Sequence, residues 1–217
     1  MTDAVKTSIH GSIVKAFTAG RRASNRRRLQ NHGFSLLASN CTGGIIYHEL
    51  GLRFTSPFIN MQMDSAEFIQ LVLNLKYYMK KNLRFYTHSE FSCPVATLED
   101  LTLIFTHYHS EEEARQKWIE RKERIDYGNL YVLTNDCGVT EDDIRAFEQI
   151  ECKNKVLFTA REREYPHALY LKDYEGKEEV AWSFAKHPWT GSRYFERVFD
   201  YVGFLNSDNE DVKAFLR

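Results

Sequence analysis

A chain of 217 residues that is 43% hydrophobic and 14% aromatic, with 11 glycines and 4 prolines, is long enough to bury a core. That composition excludes collagen-like, disordered and linker-dominated chains. Its 29 basic and 30 acidic residues leave a formal charge of −1, so no overall polycation argues for nucleic acid.

The first element departs from that balance. Seven basic residues (Lys6, Lys15, Arg21, Arg22, Arg26, Arg27 and Arg28) oppose the single acid Asp3 between Met1 and His48. This segment carries +6 and the remainder −7. Ile9, Ile13 and Phe17 recur every four residues beside Val14, which predicts one apolar helical stripe. Residues 1–32 therefore read as a basic amphipathic arm ahead of a single α/β domain over residues 33–217. The arm has two readings. It is a solvated helix packing its apolar face on the core, or it lies on an anionic bilayer through residues 6–28, each Lys or Arg adding ~1 kcal/mol. The charge asymmetry favours the second.

Phe34 to Ala38 predicts the first strand, and Ser39-Asn40-Cys41-Thr42-Gly43-Gly44 a turn into a helix near Ile45. Asp64 and Glu67 fit helix-capping positions ahead of an apolar face of Phe68, Leu71, Val72, Leu75 and Met79. Leu101 to Phe105 predicts a second strand, Leu130 to Leu133 a third and Val156 to Phe158 a fourth. Helices capped at Ser110 and Thr140 intervene, and Thr190 to Leu205 reads as one last helix. The expected fold is a three-layer α/β domain, a mostly parallel sheet with helices on both faces.

Cys41 lies just past the carboxyl end of the first predicted strand, where open α/β sheets place ligands. A thiol at a helix N-terminus is expected to have a lowered pKa. His48 lies one or two turns along the helix, and His107 and His109 follow the second strand, two residues apart and so on one side of an extended chain. The plainer reading is a buried structural thiol and a solvent-facing histidine pair. Lys117, Arg121 and Arg124 form a stripe suited to phosphate, although acids early and bases late in that helix also describe a solvated, salt-bridged face.

No P-loop, dinucleotide-binding GxGxxG or GxSxG elbow is present, no third ligand completes a metal site with the two histidines, and no cofactor is implied. The four cysteines are widely spaced without a CxxC pair, no apolar run approaches the ~18 residues of a spanning helix, and no secretory signal is evident. A cytoplasmic protein, peripheral at the inner membrane, is expected.

The region from Phe34 to Thr159 resembles a bacterial family of uncharacterised function whose members are often labelled exopolysaccharide biosynthesis proteins. The resemblance rests on an apolar strand running into Asn40-Cys41 and Gly43-Gly44, then Tyr47, Gly51-Leu52, Ser56-Pro57-Phe58, Pro94 and His107-Tyr108. Glu113-Ala114, Lys117-Trp118, Arg121, Arg124-Ile125, Asn129-Leu130 and Lys155-Val156 continue it. Ala38-Ser39 before the cysteine motif and Thr42 after it depart from the family pattern, and the basic arm lies outside it. The resemblance implies a role in building surface polysaccharide or lipopolysaccharide.

Together these readings suggest an acyl or glycosyl transferase. Cys41 would be the nucleophile or a polar group in contact with substrate, and His107 the general acid or base. Asn40, Gly43, Gly44, Tyr47, His109, Lys117, Arg121 and Arg124 would contact substrate. The partners expected are an activated sugar or acyl donor and a glycan or lipid-linked glycan acceptor, with no nucleic acid. The alternative is a non-catalytic partner or regulator of a surface-glycan assembly complex.

Overall fold

A computed structural model describes residues 3–181, 184–208 and 211–217, with side chains from residue 10 onward. In chain order the elements are α1 (Asp3–Arg28), β1 (Ser35–Ala38), α2 (Thr42–Leu50), α3 (Ser65–Leu73), α4 (Leu75–Tyr78), β2 (Arg84–Tyr86), β3 (Val95–Leu98) and β4 (Leu101–Ile104). They continue with α5 (Glu111–Lys122), β5 (Leu130–Asn135), α6 (Glu141–Glu148), β6 (Asn154–Thr159), β7 (Ala168–Tyr170), α7 (Tyr194–Val198) and α8 (Tyr201–Asn206).

Four strands form a parallel sheet in the order β1-β5-β6-β7. Side chains alternate across it because successive Cβ atoms point to opposite faces. Leu37, Val132 and Leu157 enter a core with Phe68 of α3, Trp118 of α5 and Phe147 of α6. Leu36, Leu133 and Phe158 enter a second core with Tyr47 of α2, Phe195 of α7 and Phe204 of α8. Both faces are covered, which explains why these strands read as continuous apolar runs.

The expected second strand belongs elsewhere. Leu101–Ile104 pairs antiparallel with Val95–Leu98 in a separate three-stranded sheet of order β2-β3-β4. Only Glu99 and Asp100 join the two strands, far too few residues for a parallel crossover. Glu99 takes the left-handed conformation (φ 57°) that this tight turn requires. The turn carries neither Gly nor Asn, so the hairpin leaves little trace in the sequence.

Capping residues act largely where expected. Asp64 accepts the amides of Ala66 and Glu67 at 2.8 and 3.2 Å, and Thr140 and Asp143 form a reciprocal box. Glu67 instead accepts the Thr102 amide of β4 at 2.7 Å, tying α3 to the small sheet. The predicted helix Thr190–Leu205 is two helices. Phe199 is extended and bridges Leu216, and Asp200 then caps α8 through the Gly203 amide.

The arm also differs from expectation. Ile13 and Phe17 are 40% and 59% exposed, so that stripe does not pack on the core, and the side chain of Ile9 lies outside the described residues. The docked face is Val14, Thr18, Arg21 and Asn25. Gly191 lies so close to Val14 and Thr18 that a Cβ there would meet Thr18 Oγ1 at 2.6 Å, and Asn25 donates to the Tyr201 hydroxyl at 2.7 Å. The arginines turn inward: Arg22 pairs with Glu49 at 2.8 Å, Arg21 with Glu49 at 3.3 Å and Glu196 at 3.1 Å, and Arg28 with Asp200. Among the described residues, no helix is long and apolar enough to cross a membrane.

Candidate functional site

The first strand aims the chain at the site. After Ala38, Ser39 stays tied to the neighbouring strand through the Leu133 carbonyl (3.3 Å) and the Thr134 hydroxyl (2.9 Å). Asn40 then turns the backbone by accepting the Thr42 amide at 3.0 Å. Cys41 becomes the N-cap of α2 without a side-chain capping bond. The helix begins three residues earlier than Ile45, and Gly43 and Gly44 pack closely against their neighbours in its first turn. A Cβ on Gly43 would lie 3.1 Å from Ala38, and one on Gly44 would lie 3.3 Å from Ile59 and 3.5 Å from Asn60.

A cleft of about 560 Å³ opens beside this turn, lined by Cys41, Gly44, Ile45, His48, Phe54, Asn60, His107, Phe184 and Arg193. His107 reaches it by a route other than the expected strand extension. The strand stops at Ile104, and Thr106 and His107 form a turn whose backbone is fastened to Asn60. The Asn60 carbonyl accepts the His107 amide at 3.2 Å and the Thr106 hydroxyl at 3.3 Å. Asn60 itself holds the left-handed conformation (φ 61°), which asparagine adopts more readily than other side-chain-bearing residues.

The segments around this turn are held from α5. Arg121 is buried and donates to the Tyr108 hydroxyl at 2.6 Å, and that hydroxyl donates to the Ile59 carbonyl at 2.9 Å. The Arg121 guanidinium also lies over the Phe54 ring at 5.0 Å, while Arg124 donates to the Phe54 carbonyl at 3.0 Å. These two arginines hold a wall of the cleft from behind. Lys117 pairs with Glu120 at 3.2 Å, and Arg124 bonds the same carboxylate. None of the three residues expected to meet phosphate lines the cleft.

Other candidates separate similarly. Asn40 and Gly43 shape the turn but are not lining residues. Tyr47 is buried in the second core, where its hydroxyl accepts the Leu36 amide at 2.8 Å and lies 2.6 Å from the Thr55 hydroxyl. Burial pushes that phenol up to about 12. His109 is exposed, with its amide donating to Glu113 at 3.1 Å, and does not join His107 because the backbone between them is turned rather than extended.

The thiol also behaves differently from expectation. Burial pushes Cys41 above its ordinary range, and a hydrogen bond with Thr106 only partly offsets this. The shift is upward, opposite to the lowered pKa expected at a helix N-terminus. Among the described residues, no group of three His, Cys, Asp or Glu side chains could hold a metal ion.

Sequence patterns overlooked Phe54, Asn60, Phe184 and Arg193. Arg193 comes from the segment entering α7 and neighbours the charge cluster of α1 and α2. It lies 3.8 Å from Glu49 and 3.7 Å from Glu196. Burial opposes ionisation of Glu49, but the Arg22 hydrogen bond and the charges of Arg22, Arg21 and Arg193 together hold its carboxyl below the ordinary range.

The chain is similar to an uncharacterized protein of Haemophilus influenzae, 39% identical over 185 residues that cover 83% of this chain and 88% of the relative. A family described as a domain of unknown function, DUF1919, matches residues 13–206, taking in much of α1 and all the residues lining the cleft. By the extent of that match, the chain belongs to the DUF1919 family.

Proposed function

We propose that this protein is a group transferase of surface-glycan synthesis that moves an acyl group through Cys41. The observation that carries the reading is the convergence of Cys41, His48 and His107 on one open cleft from two separate segments of the chain. The connection to surface glycans comes from the family label that the sequence resembles.

Because burial favours the protonated thiol, His107 acts as a general base while the sulfur attacks. The sulfur–carbon bond forms at the donor's carbonyl as the thiol proton passes to the imidazole. The bond to the leaving group then breaks, and the imidazolium returns that proton to it. An acceptor hydroxyl repeats the sequence on the thioester and restores the thiol. Gly44, at the start of α2, supplies an amide without a carbonyl partner in its own helix, suited to a developing oxyanion. Glycosyl transfer with phosphate held on α5 is less supported, because Lys117, Arg121 and Arg124 serve Glu120, Tyr108 and Phe54.

The test is mass spectrometry of the native protein after iodoacetamide and after a panel of acyl thioesters. Selective modification at Cys41, abolished in Cys41→Ser and slowed at least tenfold in His107→Gln, supports the reading. A Cys41 that reacts only after unfolding sinks it and leaves the protein as a non-catalytic member of a glycan-assembly complex.

Peripheral attachment to an anionic bilayer gains support from the exposure of Ile13 and Phe17 on a helix that also exposes Lys15 and Arg27. Flotation with phosphatidylserine vesicles should show salt-sensitive binding that Ile13→Glu with Phe17→Glu removes. Binding unaffected by this pair refutes attachment through α1.

A further inference from the structure

The charge cluster beneath the cleft is unevenly matched. Glu49 Oε1 accepts Arg22 Nη2 at 2.8 Å, and its Oε2 accepts Arg22 Nε at 3.0 Å and Arg21 Nη2 at 3.3 Å. Glu196 Oε2 accepts the backbone amide of Arg193 at 2.6 Å, while its Oε1 lies 3.1 Å from Arg21 Nη2. Glu49 is thus fully engaged by Arg21 and Arg22, while Glu196 Oε1 makes no hydrogen bond among the described residues and only pairs with Arg21 by charge. Arg193 Nη1 stops at 3.7 and 3.8 Å, and its Nε and Nη1 are buried without hydrogen-bond partners among the described residues. Three guanidinium groups share two carboxylates, so the cluster holds one excess positive charge, and its member Arg193 lines the cleft.

Among the described residues, no carboxylate lines the cleft to neutralise that charge. Its described lining includes Arg193 and the histidines His48 and His107. Ile45, Phe54 and Phe184 supply apolar wall. A guanidinium at the wall of a cleft with apolar sides forms strong charge-assisted hydrogen bonds with an oxyanion that enters it. We infer that the cleft binds an anionic group, a phosphate ester or a carboxylate, on Arg193, with the apolar part of the same molecule against Ile45, Phe54 and Phe184. This names the binding handle of the donor, and it rests on the reading above only in taking the cleft to be the working site.

Titration followed by amide shifts of Gly44, Ile45 and Arg193 tests this with phenyl phosphate, benzoate, inorganic phosphate and neutral benzamide. Phenyl phosphate or benzoate should bind and benzamide should not, with salt weakening the anions. A preference for phenyl phosphate assigns the handle to a phosphate ester, and a preference for benzoate assigns it to a carboxylate. Arg193→Gln should weaken the preferred anion at least tenfold, with Arg193→Lys retaining part of the affinity. Phe184→Ala should weaken the aromatic anion at least threefold while sparing inorganic phosphate. It reports on the cleft even where Arg193→Gln fails to fold. Equal binding of benzamide, no binding of either aromatic anion, or unchanged affinity in folded Arg193→Gln overturns the inference.

Cys41→Ser separates the two ideas. Arg193-dependent anion binding that persists in this variant, alongside a wild-type Cys41 inert to thioesters, removes only the acyl-transfer reading. A reactive Cys41 in a cleft that takes no anion removes only the assignment to Arg193.

Discussion

At Cys41 two effects on a thiol oppose each other. The hydrogen bond with Thr106 favours the thiolate, whereas burial favours the neutral form and is the larger effect. The alkylation rate should therefore keep rising with pH through and beyond the ordinary thiol range near 9, without the neutral plateau of a preformed thiolate. A plateau below pH 7 in the iodoacetamide profile would show a stable ion pair instead. Arg121 offers a stability test. Arg121→Ala removes the bond to Tyr108 and the contact with Phe54, and should cost about 1–3 kcal/mol in urea unfolding. Lys117→Ala should change stability by less than about 0.5 kcal/mol, because its exposed pair with Glu120 contributes little. Cys41, Gly44 and His107 were legible as candidates because reactive side chains and paired glycines after an apolar strand carry a chemical signal. Arg193 was not. A single arginine before a short helix looks like any surface residue until Glu49 and Arg21 are brought beside it.

Elements formed where local signals agreed and shifted where they were weak. The helix α2 ends at Gly51, which adopts φ 70° while its amide reaches the His48 carbonyl, and the Leu52 amide reaches the Tyr47 carbonyl. Gly51→Ala should cost about 1–2 kcal/mol, since an L side chain resists that conformation. Its Cβ would also meet the Arg26 guanidinium at 2.9 Å. The check is a lower urea midpoint at an unchanged slope. The strands β1, β5 and β6 were readable because burial on both faces makes them continuously apolar. The hairpin β3–β4 was misread because its turn, Glu99-Asp100, lacks glycine, and β7 escaped because three residues carry too little periodicity. The break between α7 and α8 depends on the pairing of Phe199 with Leu216, a contact invisible to local pattern.

Across the whole molecule, α1 joins the domain through charges that respond to acid. Burial raises Glu49 and Asp200, but their arginine partners reverse this, so both carboxyls sit below their ordinary ranges. Their contribution is complete above the ordinary carboxylate range near 4 and disappears as pH falls through the lower folded values. Hydrogen-exchange protection of residues 14–28 should accordingly drop between pH 6 and pH 3 more than protection of β5 and β6. An equal loss in both regions would remove these pairs as the clamp. From composition and spacing alone followed an α/β core, a parallel sheet covered on both faces, and a cysteine at the end of its first strand. Those properties arise from local periodicity and from the chemistry of single residues, which sequence displays directly. Tertiary structure decided which charges meet. It turned Arg21, Arg22 and Arg28 inward, placed Arg121 and Arg124 behind the cleft wall, and left Arg193 facing the cleft. The partner of a long charged side chain is set by packing between segments distant in sequence, so the same arginines could not be assigned before the chain was folded.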